Sequence, residues 1–196
     1  MDPAVSNVLI DRWSGKRSGV VDMLAITGFA LLTALLSLVR IPLPFTPVPV
    51  TGQTFAVLLA GLVLGARRGF LSQALYLAGG AAGLPVFAAG SLMGPTAGYL
   101  WSFPLAAFLV GWLCENGAGR RALTLGASLV FADAVILVSG VVWLRALTGD
   151  SLRVALILGF APFWAGDLLK IAALTLLFPP ISRAGLPGAH KPASTA

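Results

Sequence analysis

The sequence predicts an all-α integral membrane protein, a single bundle of six transmembrane helices with both termini in the cytoplasm. Of its 196 residues, 58% are hydrophobic and only 10% are charged, whereas a soluble domain carries about 25% charged residues. So few charges cannot cover a water-facing surface. The basic residues fall mainly between apolar stretches, so the net charge of +6 reports membrane topology rather than nucleic-acid binding.

Six apolar stretches define the predicted spans, and all but a short second and third approach the length that a bilayer requires. They cover residues 22–41, 53–66, 69–84, 98–114, 121–147 and 152–178. The membrane domain is therefore predicted at 22–180, with cytoplasmic tails at 1–21 and 181–196.

The distribution of basic residues orients these spans. Nine of the 13 Lys and Arg lie on the side that holds both termini, three lie on the opposite side, and Lys170 lies within the last span. Cytoplasmic loops carry the excess of basic residues, so both termini are expected in the cytoplasm. We expect a multi-pass protein of the inner (plasma) membrane.

The segment between the first two spans, residues 40–53, contains four prolines and a single charge, Arg40. Proline excludes a helix and favours extended backbone. The segment also carries apolar side chains such as Phe45, which is unusual for a loop bathed in water. We interpret it as a lid over a cavity; the alternative is a connector that only packs. A second uncharged segment, residues 83–98, is predicted on the same side.

Asp167 and Lys170 place opposite charges near the middle of the last span. A charge at the centre of a membrane helix costs about 2.5–3.5 kcal/mol and usually faces the bundle interior. The i, i+3 spacing puts both side chains on one helical face. Asp133 is a third charge at mid-depth, and it either pairs with Lys170 or forms a polar wall. Pro162 should weaken the helix just before Asp167.

Three readings of these charges remain open at this point: a ligand site, a proton relay, and a structural ion network between the last two spans. Trp164, Tyr99 and Phe87 either wall a cavity or belong to interfacial aromatic belts. Ala30 and Ala34 form a small-residue strip on the first span, on which another helix can pack.

An enzyme is not expected. The sequence has no nucleophile elbow, no histidine within a span and no phosphate-binding P-loop. A metal site of His and Cys is excluded because the chain has one His and one Cys. Without a P-loop, any energy from ATP must come from partner subunits.

Four motifs resemble the BioY family, the biotin-specific S components of energy-coupling-factor (ECF) vitamin transporters. They are the proline-rich segment continuing to Gly61 and the runs at 83–88, 94–100 and 166–170. The resemblance implies a six-helix subunit that binds biotin from outside with high affinity and needs no cofactor. It also implies three partners, namely a transmembrane coupling subunit and two ATPase subunits.

The resemblance also implies roles for individual residues. Asp167 and Lys170 map to the polar centre of the site, the first loop covers the ligand, and Ala30 and Ala34 pack on the coupling subunit. Biotin offers ureido N–H donors, a ureido carbonyl and a carboxylate, so Asp167 is expected to accept from the ureido ring. Whether Lys170 meets the ureido carbonyl or the carboxylate stays open. The full set of expected ligand-binding residues is Asp167, Lys170, Gln53, Thr51, Phe45, Phe87, Thr96, Tyr99 and Trp164.

The competing prediction is a proton-coupled secondary carrier for a small carboxylate that works without ATPase partners, with Asp133, Asp167 and Lys170 as its relay. The sequence also leaves open a homo-oligomer. Apart from these partners, we expect contact with membrane lipid and none with nucleic acid.

Overall fold

A computed structural model describes residues 19–88 and 91–178. Nearly all of the two predicted tails lies outside this range. The helices, numbered along the chain, are α1 (Gly19–Leu38), α2 (Gln53–Leu64), α3 (Ala66–Ala81), α4 (Ala97–Glu115), α5 (Ala122–Thr148), α6 (Leu152–Gly159) and α7 (Trp164–Leu177).

Three of these helices, α1, α4 and α5, are long and apolar enough to cross a membrane, and α6 with α7 adds a fourth if the bent pair is one span. Helices α2 and α3 have 12 and 16 residues, fewer than the roughly 20 that a membrane-spanning helix needs. Gly65, with φ of 82°, separates them. The structure thus confirms a mostly helical chain with apolar spans, while the count of six spans stays a prediction.

Polar contacts join the helix ends at one end of the bundle. Arg68, near the start of α3, forms an ion pair with Asp22 in the first turn of α1, with 3.0 Å between Nε and Oδ1. The Glu115 carboxylate at the end of α4 accepts a 2.9 Å hydrogen bond from the backbone N–H of Ala66. These contacts bring the starts of α1 and α3 and the end of α4 to one end, as alternating spans require.

The proline-rich segment at the other end is a hairpin rather than the fully extended strip that the prolines suggested. Strands β1 (Arg40–Ile41) and β2 (Val50–Thr51) pair antiparallel, with Arg40 opposite Thr51. Proline cannot donate to a ladder, and the four prolines all lie in the connecting loop, where they leave the pairing intact. This small ladder is the one departure from an all-α fold among the described residues.

The central helices approach one another closely through glycine. A Cβ added at Gly111 of α4 would overlap the backbone of Gly65 and Ala66, where α2 passes into α3. A Cβ at Gly140 of α5 would overlap the Tyr99 ring of α4. Small residues allow such close approach between membrane helices.

The last predicted span is broken. Helix α6 ends at Gly159, α7 begins at Trp164, and their axes differ by 47°. Pro162 lies in the break, which confirms the weakening predicted there. The break leaves the Gly159 carbonyl available, and it accepts a 2.6 Å hydrogen bond from the Tyr99 hydroxyl. The break thereby turns the start of α7, with Asp167, toward the hairpin and α2.

Candidate ligand-binding site

Asp167 and Lys170 lie on one helical face, as their spacing predicted, and they form an ion pair. Lys170 Nζ lies 2.8 Å from Asp167 Oδ1, and the Asp167 side chain is only 4% exposed. The pair is joined by Thr54 in the first turn of α2, which the sequence analysis did not select. Its hydroxyl accepts from Lys170 Nζ at 2.8 Å and donates to Asp167 Oδ1 at 2.9 Å. The three side chains form a closed triangle of hydrogen bonds.

The third bond of the ammonium goes to the hairpin. Lys170 Nζ donates to the backbone carbonyl of Thr51 at 2.8 Å. A lysine ammonium has three N–H donors, and Asp167, Thr54 and Thr51 accept one each. This connects α7 to the junction of β2 with α2, so the site charges and the base of the hairpin are mechanically linked.

Beside this cluster lies a cavity of about 50 Å³. A void needs roughly 10–15 Å³ to hold one water molecule, so the cavity has room for a few waters. The hairpin covers it with Val48 and Pro49. The remaining lining residues are Thr51, Gln53, Thr54, Thr96, Tyr99, Leu100, Phe103, Leu137, Phe163, Asp167 and Lys170.

Two buried oxygens in this region have no hydrogen-bond partner within the described residues. One is the hydroxyl of Thr96, which lines the cavity at the start of α4. The other is Oδ1 of Asp133 on α5. Buried polar atoms are nearly always paired, so an unpaired hydroxyl in a cavity wall indicates a place for a polar group of a ligand. Asp133 does not take Lys170 as its hydrogen-bond partner in this structure.

Gln53 and Tyr99 line the cavity as predicted, but protein partners already engage their polar groups. The Gln53 amide donates to the Tyr76 hydroxyl at 2.5 Å, and the Tyr99 hydroxyl donates to Gly159. A hydroxyl that donates still has lone pairs to accept with. In this arrangement, Tyr99 offers the cavity an aromatic wall and an acceptor.

Three of the expected ligand contacts lie away from the cavity. Phe45 is 59% exposed on the loop of the hairpin, and Trp164 is 49% exposed at the start of α7. Phe87 is buried against Tyr76, with ring centroids 5.5 Å apart. The structure therefore gives Phe45 and Trp164 a surface position and Phe87 a packing role, because none of the three lines the cavity.

Ala30 and Ala34 face other helices of this chain. Ala30 is 7% exposed and belongs to the hydrophobic core, and Ala34 packs against that core. The exposed face of α1 instead carries Leu31, Leu35 and Leu38. The contact of Ala30 and Ala34 with a coupling subunit stays a prediction.

Thr54 is the functional candidate that sequence reasoning missed, and a signal for it existed. It closes the short polar run Thr51-Gly52-Gln53-Thr54, which directly precedes an apolar helical stretch. The apolar walls Leu100, Phe103, Leu137 and Phe163 carried no comparable signal, because membrane helices are apolar on every side.

The profile of the BioY family matches residues 9–186 of this chain. The chain belongs to the BioY family. A relative described as a probable biotin transporter BioY, from Pyrococcus horikoshii, is 41% identical over 155 residues, which is 76% of this chain and 90% of the relative. The biotin transporter BioY of Thermotoga maritima is 41% identical over 142 residues, 70% of this chain and 82% of the relative.

A solved structure has the same fold. The crystal structure of the S-component for biotin from an ECF-type ABC transporter is similar to this BioY-family chain with a TM-score of 0.71 and 25% sequence identity. The similarity covers 83% of this chain and 93% of that chain. Both the sequence and the fold therefore place the chain among BioY proteins.

Proposed function

We propose that this BioY-family chain is the biotin-binding S component of an ECF transporter and mediates biotin uptake with an energy-coupling module. The single observation that carries this proposal is the buried triangle of Asp167, Thr54 and Lys170 beside an apolar cavity. Buried ion pairs seldom add stability over an apolar alternative, so a ligand gives a better reason for them. The relatives, which are biotin transporters, supply the identity of that ligand.

The chemistry of biotin fits the cavity. Its ureido ring has two N–H donors, which suit the Asp167 carboxylate, and a carbonyl that accepts from a hydroxyl or an ammonium. The unpaired Thr96 hydroxyl is a natural partner for one of these groups. The thioether ring and acyl chain are apolar and suit the walls formed by Leu100, Phe103 and Phe163.

The hairpin must move for such a ligand to enter. The cavity has a volume of only about 50 Å³ in this structure, whereas pockets for small ligands usually measure about 300–1,000 Å³. The hairpin is attached by the bond from Lys170 to Thr51, by a 2.8 Å bond from the Thr46 hydroxyl to the Leu158 carbonyl, by the bond from Arg40 to Ala88 and by the buried Val48. Hydrogen bonds of this kind can be exchanged for bonds to water or ligand, which supports the interpretation of the hairpin as a lid.

The finer topology follows the positive-inside rule. In this proposal six spans cross the inner (plasma) membrane, the termini are cytoplasmic and the hairpin faces outward. The partners that the BioY resemblance implies are a transmembrane coupling subunit and two ATPase subunits, and the ATPase subunits would supply the ATP hydrolysis for which this sequence has no P-loop. The chain binds and presents biotin and performs no catalysis.

Binding of radiolabelled biotin to the purified chain tests the proposal. We expect a sub-micromolar Kd and at least tenfold weaker binding in Asp167→Asn and in Lys170→Met. Removing one partner leaves the other buried without its counter-charge, which is strongly unfavourable. Asp150→Asn and Arg153→Met are matched controls, since both residues are exposed. Unchanged affinity in both site variants would disprove the site.

The unpaired oxygen of Asp133 favours one second candidate, the proton-coupled carrier for a small carboxylate. A buried carboxylate beside an ion pair resembles part of a proton relay. Uptake into vesicles that contain only this chain, driven by a pH gradient and abolished in Asp133→Asn, would support the carrier. Uptake that needs ATP and the coupling module supports the S component instead.

A further inference from the structure

Lys170 is the one cation among the residues that line the cavity. All three N–H donors of Lys170 are used within the protein, by Asp167, Thr54 and Thr51, each at 2.8 Å. An additional anionic group would have to displace one of these acceptors. A carboxylate on the ligand therefore needs a different cation or must remain in water.

Arg40 is a cation on the hairpin with hydrogen-bond donors to spare. Arg40 lies on β1 directly opposite Thr51 of β2, and paired residues of antiparallel strands have Cα atoms about 5 Å apart. Its guanidinium donates from Nη1 to the Ala88 carbonyl at 2.7 Å. A guanidinium has five N–H donors, and no further hydrogen bond of this side chain falls within the described residues. The remaining donors are available to a carboxylate.

Arg40 borders an open groove of about 350 Å³ beside the hairpin. Six hairpin residues and Ala88 line the groove, namely Arg40, Pro42, Leu43, Thr46, Pro47, Pro49 and Ala88. Pro49 lines both this groove and the inner cavity. The two spaces therefore meet at opposite sides of the hairpin residue Pro49, which contacts both. A ligand with its ring in the cavity and its chain passing Pro49 would bring the end of the chain to Arg40.

We propose that Arg40 is a specificity-determining residue that binds the carboxylate of the ligand, while the Asp167 carboxylate accepts from its ring. This inference rests on the proposed function, which supplies a ligand with a polar ring at one end and a carboxylate at the other. Arg145 and Arg153, the other basic residues predicted on this side, line neither space. Arg40 is exposed, so the attraction is partly screened by water and salt.

The test compares biotin with biotin amide, which lacks the negative charge but keeps the ring. In the unmodified chain we expect biotin to bind about fivefold more tightly than the amide, the effect of the strongest exposed ion pairs. In Arg40→Gln this ratio should fall to about one through weaker biotin binding, with the amide affinity unchanged. Arg40→Lys should keep part of the preference, and the preference should shrink as salt rises.

Arg153→Gln is the matched control and should keep the full ratio. An unmodified chain that does not prefer biotin over the amide, or an Arg40→Gln variant that keeps the ratio, overturns the inference. Equal weakening of both ligands in Arg40→Gln also overturns it, because Arg40 would then act only by holding the loop through Ala88. If neither ligand binds the unmodified chain, the proposed function itself fails, which is a different result.

Discussion

Helices α2 to α5 approach one another through glycines, whereas the hairpin reaches the rest of the molecule through a few hydrogen bonds and one buried apolar side chain, Val48. At Gly111 a single added carbon would strike backbone on the facing helices. At the hairpin, by contrast, hydrogen bonds that involve Thr46, Thr51 and Arg40 make the polar connections. A side chain that meets backbone cannot be accommodated cheaply, while a hydrogen bond can be exchanged for one to water or ligand.

This difference divides the bundle into a rigid frame and a more loosely attached cover. The glycine-packed helices hold Thr96, Tyr99 and Thr54 in fixed positions around the cavity. The hairpin and α7 bring the cover and the charges to that frame. A ligand that replaces polar contacts of the second region can open or close the site without disturbing the first. The predictions below test this division, beginning with the frame.

The largest effect is expected at Gly111. Replacing Gly111 with Ala places a Cβ against the backbone of Gly65 and Ala66, and overpacking of this kind destabilises by about 3 kcal/mol. For a chain of this length the melting temperature of the purified protein should fall by roughly 6–12 °C. Biotin binding should decrease only as far as folded protein is lost.

Gly126→Ala on α5 is the matched control, because the nearest atom to its added carbon is Thr175 Oγ1 at 3.7 Å, an ordinary contact. Its melting temperature should stay unchanged or rise slightly, since alanine reduces the freedom of the unfolded chain. Equal melting temperatures for the two variants would show that the close approach at Gly111 does not hold the frame together.

An intermediate effect is expected at Thr54, where the two regions meet. Thr54→Val removes the hydroxyl that both accepts from Lys170 and donates to Asp167. Lys170 and Asp167 then each lose one hydrogen-bond partner, and we expect biotin affinity to fall about tenfold. Thr54→Ser keeps the hydroxyl and should stay within about threefold of the unmodified chain. If the Thr54→Val variant binds biotin as tightly as Thr54→Ser, the triangle of hydrogen bonds plays no part in recognition.

Some features of these two regions could be predicted from the sequence and others could not. Asp167 and Lys170 were predicted because charges in a membrane span are conspicuous and their spacing fixes a shared face. Pro162 likewise predicted the break between α6 and α7. The apolar cavity walls were not predictable, because in a membrane helix an inward leucine and an outward leucine look the same in sequence.

The hairpin shows a different limit. Four prolines correctly excluded a helix, but the pairing of Arg40–Ile41 with Val50–Thr51 involves only two residues on each strand, too few for an alternating pattern. Folding back of the segment explains why Phe45 lies on the surface rather than in the cavity wall. Ala30 illustrates a third limit, since a small-residue strip predicts close packing but does not say whether the neighbour is this chain or another.

The smallest effect is expected at the attachment of the hairpin, and it should appear in rates more than in affinity. Thr46→Val removes the 2.8 Å bond to the Leu158 carbonyl, and one such bond contributes about 0.5–1.5 kcal/mol. Biotin should therefore dissociate about two- to tenfold faster, measured by chase of bound radiolabel, while the melting temperature changes little.

Phe45→Ala on the same hairpin is the control for that measurement. Phe45 is 59% exposed and lines neither the cavity nor the outer groove, so its truncation should leave the dissociation rate unchanged. Faster dissociation in Phe45→Ala would show that the hairpin closes further over bound biotin than it does here, and would return Phe45 to the ligand contacts. Unchanged dissociation in both variants would mean that the hairpin is not the barrier to release, because a cover that limits release must respond when one of its few attachments is removed.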